Sequence, residues 1–545
     1  MKNITKLKSL FYFLLIFIFS FSGFFYNLKI LVKNINYKFN TSILVELCFL
    51  SFLFSLYYFF FLKNLSINFF NFIKIILPFI IFLFIAFLIY LDIFNFSIHH
   101  RFTNPSGINK HLFGLNLILF VSLNFLNAGF LLYNYFIDFK KCLIFFLLSA
   151  FILYSFIAFW TTFDGDHGDE WVYRLMSLSF YYDFDFNLIN NLEKKYFNTG
   201  GVMQIAPDKV YAKYYPLFPI IISPVFLFEK IFFNNGIFFL CQNIGSPIVP
   251  FKLSFLIRFV NVLFSLLIIY FFILLLIKFF DVKKINWFLL SLLFLLSPFS
   301  IYSSQIYPEI IAALFLLIYL YLSNQNRLFV FILKFIIIIS LIWLHPRYIV
   351  ISAILSTHIF FQLFKNKSYL PFFVFVLLLC LNIFLLKQYQ KLLPVSDLKI
   401  EGNIKNWLIN FWNFERIKNN FDLTLYNFKK GLIFNFPAFL LIIFAFNFYK
   451  KNFIFSIINF LFAFFIFFMI FQPFIIGSGH HSPPLRFFIF LFPLILANYY
   501  YLLTNLKNNL FKFFNYFIFI SMLFNSFFVL IYLRIRFENI WSFLF

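Results

Sequence analysis

Acidic residues are scarce in this chain: 19 among 545 positions, beside 43 lysines and arginines, with charged residues of both signs reaching only 11%. An ordinary soluble globule carries roughly 25% charged residues, so that class is excluded. Cysteine is equally sparse. Cys48, Cys142, Cys241 and Cys380 form no CxxC pair and support neither a disulfide framework nor a zinc site; they read as small apolar residues. Glycine numbers 14, no Gly-rich phosphate loop is present, and no internal repeat of transporter type is evident.

What fills the chain instead is hydrocarbon. Apolar residues make up 63% and phenylalanine alone 104 positions, and the mean hydropathy is +0.94. Disorder, collagen and coiled coil need polar or strictly periodic chains and fail on these numbers; the composition predicts lipid as the solvent. The excess of Phe, Ile, Leu, Asn and Lys fits an AT-biased genome. The formal charge of +24 is spread as ones and twos at the ends of apolar runs, as membrane anchors and orientation signals are, rather than clustered for nucleic acid.

A spanning helix needs about 20 mostly apolar residues. Fifteen such runs are read, near 9–27, 43–62, 73–93, 112–138, 142–160, 253–279, 287–303, 308–323, 329–344, 348–364, 369–386, 431–449, 453–472, 487–503 and 511–533. Lys2, Lys6 and Lys8 precede the first, which has no small-residue cleavage site and is expected as a retained helix with a cytoplasmic N-terminus. Residues 216–233 are apolar too, but short and interrupted by Pro216, Pro219 and Pro224. Treating them as juxtamembrane or re-entrant puts Lys140, Lys141, Lys278, Lys283, Lys284, Arg327, Lys365, Lys367, Lys450, Lys451 and Lys507 on one side, the positive-inside pattern. The extra-cytoplasmic face then holds loops near 161–252 and 387–430. Eight of the 19 acidic residues fall between 161 and 210, so acid-base or metal chemistry is expected in that loop.

Four constellations carry chemistry. DGDHGDE at 164–170, followed by Trp171 and Tyr173, places four carboxylates in seven residues. Their repulsion favours protonation of one of them or recruitment of a cation. A solvated Gly- and Asp-rich turn is the plain alternative, and the spacing matches no dedicated metal loop. SQIYPE at 304–309 offers Tyr307 and Glu309, with Pro308 as an ordinary helix start and Glu309 favourable in a first turn. WLHPRY at 343–348 presents His345 and Arg347, or an anchoring Trp–Arg belt. GSGHHSPPLRF at 477–487 is a broken turn presenting His480, His481 and Arg486. The adjacent histidines need not converge on one ion, while Arg486 could hold a phosphate with a forked pair of hydrogen bonds. Arg258, early in the sixth run, and Lys213 are further cations on the same side. Each of these cations also fits an interfacial anchor.

Shared sidedness is the stronger signal. An acidic loop and several phosphate-sized cations on one face suit a lipid-phosphate-linked substrate: a base takes a proton from an acceptor hydroxyl and cations stabilise the departing phosphate. Here the residues resemble the polytopic glycosyltransferases of the GT-C fold, which include the protein O-mannosyltransferases and the bacterial transferase that puts aminoarabinose on lipid A. Gly168-Asp169-Glu170-Trp171-Val172-Tyr173 resembles the family's Asp-Glu pair in a context like GDEPHYL. The run Asp183-Phe184-Asp185-Phe186-Asn187-Leu188 is similar to its DGDLDL continuation. Tyr214-Tyr215-Pro216-Leu217-Phe218-Pro219 resembles the juxtamembrane GPGLPLLL segment. SQIYPE, WLHPRY, GLIFNFPAFLL at 431–441 and GSGHHSPPLRF look like counterparts of bacterial segments in the same order. The likeness spans residues 155 to 505. It departs at Trp171, where the family has Pro, and at Gly479-His480-His481, where it has Gly-Trp.

The resemblance implies an all-α polytopic membrane protein. Its GT-C-type helical bundle would have about 15 transmembrane helices and a large extra-cytoplasmic first core loop carrying short juxtamembrane helices. The expected divisions are a four-span extension at 1–140, a core at 141–533 and a tail at 534–545. The implied activity is inverting transfer of a monosaccharide from a polyprenyl-phosphate donor to a lipid, glycan or protein acceptor, in the cell inner membrane with its site on the extra-cytoplasmic face. Asp169 would be the base and Glu170 its neighbour. Asp164, Asp166, Tyr173, Lys213, Arg258, Tyr307, Glu309, His345, Arg347, His480, His481 and Arg486 would bind substrate. A divalent metal at the acidic loop stays open, and no nucleic-acid partner is expected. A transporter or flippase of lipid-linked sugars is the alternative; it calls for ionisable residues at mid-depth in facing helices and for repeated halves.

The topology is testable by single-cysteine labelling in a cysteine-free background. Phe228→Cys is expected to react from the extra-cytoplasmic side and Lys284→Cys from the cytoplasmic side. Labelling of both from one side would reverse every motif after 253.

Overall fold

The computed structural model describes residues 14, 18, 139–164, 170–190, 194, 202–212, 214–227, 254–280, 285–295, 299–323, 325, 327–365, 369–390, 413–426 and 486–505. These are mostly helical. In chain order they form α1 (Phe139–Asp164), α2 (Glu170–Asp183), β1 (Val202–Ala206), β2 (Lys209–Ala212), α3 (Leu217–Ile222), α4 (Ser254–Phe280), α5 (Trp287–Leu295), α6 (Phe299–Tyr302), α7 (Glu309–Leu322), α8 (Leu328–Leu344), α9 (Ile349–Lys365), α10 (Tyr369–Gln390), α11 (Phe414–Phe421) and α12 (Phe492–Asn505). A 3-10 turn at Arg486–Leu491 leads into α12.

Among the described residues, two helices are long and apolar enough to cross a membrane, α4 over Leu256–Lys278 and α10 over Pro371–Tyr389. Helices also occupy the runs expected at 142–160, 308–323, 329–344 and 348–364. In the run at 287–303 the described residues form α5 and α6; residues 296–298 lie outside the described residues. The runs at 9–27 (save Leu14 and Ile18), 43–62, 73–93, 112–138, 431–449, 453–472 and 511–533 lie outside the described residues.

The core is centred on α4 and α7, which pack along one another, with α1 against α4 and the 486–491 turn against α7. Ile268, Phe272, Leu275 and Leu276 of α4 and Ile310, Ala313, Leu317 and Leu320 of α7 are all sealed from solvent. Aromatic edges close the joint to α5 and α6, with Phe272 4.8 Å from Phe294 and Phe294 5.5 Å from Phe299 between ring centroids. Tyr154 of α1 donates its hydroxyl to Phe294 O at 2.8 Å. Burying a Tyr here leaves no polar atom stranded.

The chain ends of α7 carry charge of the sign its dipole calls for. Glu309 is its first residue, directly after Pro308. At its other end Lys278 donates to Tyr321 O at 2.7 Å and lies 4.3 Å over that ring. Lys334 of α8, 0% exposed, donates to Ser323 O, Gln325 O and Gln362 Oε1 at 2.9, 3.1 and 3.2 Å. Three acceptors for three N–H groups satisfy the ammonium inside an apolar body.

Helix α10 meets the rest through one narrow stripe. Phe372, Phe375, Leu379, Asn382, Leu386 and Tyr389 recur at alternating spacings of three and four and, with Pro371, are its described buried or half-buried positions, as a helix-on-helix seam requires. Phe375 packs on Phe335 of α8 at 5.4 Å, and Asn382 Oδ1 accepts from Trp343 Nε1 at 2.6 Å. Tyr389 donates to Tyr214 O at 3.1 Å. The remaining faces are outward and apolar: Phe373 is 66% exposed, Leu377 58% and Phe384 56%.

An all-α chain was expected, and the loop after α1 departs from that by folding an antiparallel hairpin, with Val202 opposite Ala212 and Gln204 opposite Val210. Asn187 ties it to the end of α2. Asn187 Oδ1 accepts from Val210 N at 2.9 Å while its Nδ2 donates to Asp208 O at 2.9 Å. Asn187 is itself set by Asp185, whose Oδ1 accepts from Asn187 N and from Ser179 Oγ at 2.9 and 3.1 Å. The preceding helix α2 stops at Phe184, with φ 55° and its N–H bonded to Phe180 O. That left-handed cap is one a glycine would adopt at lower cost. Asn187→Ala removes both hairpin contacts at about 1 kcal/mol each. Amide exchange across 202–212 is expected to accelerate about 10-fold or more while α4 and α7 stay protected; unchanged exchange would show that the hairpin stands without the pin.

Candidate functional site

Glu170 opens α2 and is fully enclosed, as is Arg258, which lies in the second turn of α4. They meet as a bidentate pair, Arg258 Nη1 and Nη2 donating to the two carboxylate oxygens at 2.9 and 2.8 Å. The fork geometry of guanidinium on carboxylate gives direction as well as charge compensation. The pair grips a third element. Glu170 Oε1 also accepts from Ile306 N at 2.7 Å, and Arg258 Nη1 also donates to Ser304 O at 3.2 Å. One turn along α4, Asn261 Nδ2 donates to Gln305 O. Residues 303–308, between α6 and α7, are thus held through both N–H and C=O groups that no helix satisfies.

That grip positions SQIYPE. Tyr307 is enclosed, and Glu309 begins α7 fully buried. Arg347 Nη1 reaches Glu309 Oε1 at 3.3 Å, with 14% of the arginine side chain exposed. Arg347 stands where it does because Pro346 follows His345. The residue before a proline is pushed to extended backbone, and His345 ends α8 at φ −166°, ψ 142°. A single 3-10 turn, Pro346–Tyr348, then starts α9. His345 Nδ1 accepts from Arg347 Nε at 3.1 Å and from Arg347 N at 3.2 Å, a role open only to an imidazole carrying no proton on Nδ1. The two residues therefore act as one unit beside Glu309.

Aromatic contacts bring in the other two motifs. Tyr173, in the first turns of α2, packs on Tyr214 at 4.7 Å and edge-on against Phe218 of α3 at 5.2 Å. Tyr348 meets Phe490, in the turn that follows GSGHHSPPLRF, at 4.9 Å. Segments around 170, 214, 258, 306, 347 and 490 thus converge at one end of the bundle. Asp166, Asp169, Lys213, His480 and His481 lie outside the described residues, and Asp164 and Arg486 are described by backbone alone. Arg258 faces Glu170 rather than a solvent-open cleft. No group of three or more His, Cys, Asp or Glu side chains suited to a metal occurs among the described residues; positions 165–169 of the acidic loop are not among them.

Two participants, Asn261 and Gln305, were not singled out in the sequence, nor was the buried Arg174. Arg174 follows Glu170 by one helical turn and is as fully buried. Asn261 was detectable in principle, as an amide three residues after Arg258 within a strongly apolar run, where polar side chains are expensive unless partnered. No family model, curated protein or solved structure matches this chain.

A buried ion pair is costly to break on one side and cheap to replace as a whole. Glu170→Gln and Arg258→Met are each expected to destabilise by about 3–5 kcal/mol. The double variant should lose less than the sum, measured by thermal unfolding of the purified protein. Strict additivity would mean that the two charges do not depend on each other.

Proposed function

We propose that this chain is a multi-pass inner-membrane glycosyltransferase of GT-C type, with about 15 spans. It moves a monosaccharide from a polyprenyl-phosphate donor to a hydroxyl of a lipid, glycan or protein acceptor on the extra-cytoplasmic face. The observation that carries this reading is the convergence, at one end of the bundle, of motifs separated by hundreds of residues. Glu170, SQIYPE, the His345–Arg347 unit and the 214–219 segment share one neighbourhood, as a single site requires. The outward faces of α10 support the membrane: a helix presenting Phe373, Leu377, Leu381 and Phe384 suits hydrocarbon and not water.

In this reaction Asp169 acts as general base. It withdraws the proton from the acceptor hydroxyl as that oxygen bonds to the anomeric carbon, and the carbon–phosphate-oxygen bond breaks with its electron pair leaving on the phosphate. The configuration inverts. A phosphate leaves without needing a proton, so one carboxylate suffices where ordinary glycoside hydrolysis uses two. Glu170 is spent on Arg258 and on Ile306 N; it is a positioning residue, fixing the chain one peptide unit, about 3.8 Å between Cα atoms, from the base. Arg258 is likewise positioning. Arg347, partly exposed and steadied by His345, is assigned to the phosphate, with Lys213 and Arg486 as further candidates. Tyr173, Tyr307 and Glu309 line the same region.

The test is transfer from a radiolabelled polyprenyl-phosphate sugar in proteoliposomes. Asp169→Asn is expected to lower turnover at least about 100-fold, the low end of general-base contributions, with donor binding retained. Full activity in that variant would remove Asp169 from the mechanism. Transbilayer movement of the donor without glycosyl product would point to the flippase reading instead.

A further inference from the structure

Asn261 and Ser265 of α4 and Gln305 of the 303–308 turn each carry a buried oxygen with no hydrogen-bond partner among the described residues. Asn261 and Ser265 lie one turn apart on the same face of α4, and Asn261 Nδ2 is bonded to Gln305 O. Asn261 and Ser265 are 0% exposed and Gln305 is 1% exposed. Yet Asn261 Oδ1, Ser265 Oγ and Gln305 Oε1 have no hydrogen-bond partner among the described residues. Native interiors pair nearly all such atoms, because a buried oxygen stripped of water and given nothing in exchange is strongly unfavourable.

The surrounding groups are committed elsewhere. Ile306 N–H donates to Glu170, Ser304 O and Gln305 O already accept from Arg258 and Asn261, and Ser303 Oγ donates to Ser300 O. The outstanding demand is specific: two amide oxygens that only accept, and one hydroxyl that donates and accepts. One water in reach of all three would meet it, giving its two O–H groups to Asn261 and Gln305 and receiving the Ser265 hydroxyl proton. Three protein partners is the usual complement of a buried water. A monovalent cation would suit the same three oxygens, but no carboxylate is among them, and the Arg258 guanidinium stands one turn away on the same helix.

We propose that Asn261, Ser265 and Gln305 enclose a structural water that completes the hydrogen bonding of the break between α6 and α7. The water holds the turn carrying Tyr307 and Glu309 against α4, beside the Glu170–Arg258 pair. It does not depend on the chemistry proposed above.

Ser265→Ala and Gln305→Met, singly and together, test this in the full chain by thermal unfolding in detergent. A shared water predicts that each single variant unfolds lower, by about 1 °C in a chain of this length. The double variant should fall by clearly less than the sum, because the second substitution removes a partner from a site already impaired. If the atoms are dry, exchanging an orphaned oxygen for carbon raises the unfolding temperature, and that result overturns the proposal. Wild type is also unfolded in sodium chloride against choline chloride at equal strength. A sodium-specific rise that disappears in Gln305→Met would replace the water with a cation and overturn it equally; equal midpoints in the two salts are expected.

Discussion

The bidentate contact between Glu170 and Arg258 is the constraint on which the described end of the bundle depends. Two opposite charges have been taken fully out of solvent, and their mutual attraction offsets that desolvation only while both forks stay aligned. Alignment requires α2 to begin at one fixed height relative to α4. It also requires the turn at 303–308 to present Ile306 N–H to the carboxylate and Ser304 O to the guanidinium. Once those three elements are fixed, α7 starts where Pro308 allows, Glu309 falls beside Arg347, and Tyr173 is carried to Tyr214 and Phe218. Hydrophobic packing has little directional preference and could not select this arrangement among near alternatives in a body so rich in phenylalanine.

How much of this was legible in the sequence follows from the range of the interaction concerned. Helices are made by local hydrogen bonds, so α4, α7, α8, α9 and α10 coincide closely with apolar runs. Local rules also locate their ends, as with His345 before Pro346 and Glu309 after Pro308. The clustering of acids between 161 and 210 pointed to the neighbourhood of Glu170. What the sequence could not reveal is pairing at a distance. Arg258 looked like a cation for a ligand because its partner stands 88 positions earlier, and nothing along the chain marks that carboxylate as its own. The hairpin at 202–212 was missed for a related reason: Asn187 holds it from fifteen or more residues away, in a stretch whose periodicity is too short to announce strands.

The distribution of polar groups follows one economy. Among the described residues, several charges and amides that enter the apolar interior are directed at backbone that the helices leave unsatisfied. Lys334 and Lys278 take the carbonyls at the end of α7, Arg258 and Asn261 those of the turn before it, and Glu170 the amide of Ile306. Breaks in helices are permitted in such surroundings because side chains from neighbouring helices complete them. The same habit separates Arg258, buried with both Nη atoms bonded, from Arg347, whose guanidinium retains some exposure next to His345.

Helix α7 is fastened by charge at both of its ends, to Arg347 at Glu309 and to Lys278 and Lys334 near Leu322. Fourteen residues at about 1.5 Å of rise each make it a rod of about 21 Å with a clamp on either tip. A rod so held can neither slide along its axis nor turn about it without opening one clamp. In mechanical terms it is a strut rather than a piston, and a movement of α4 or α8 that keeps the clamps closed must carry α7 with it.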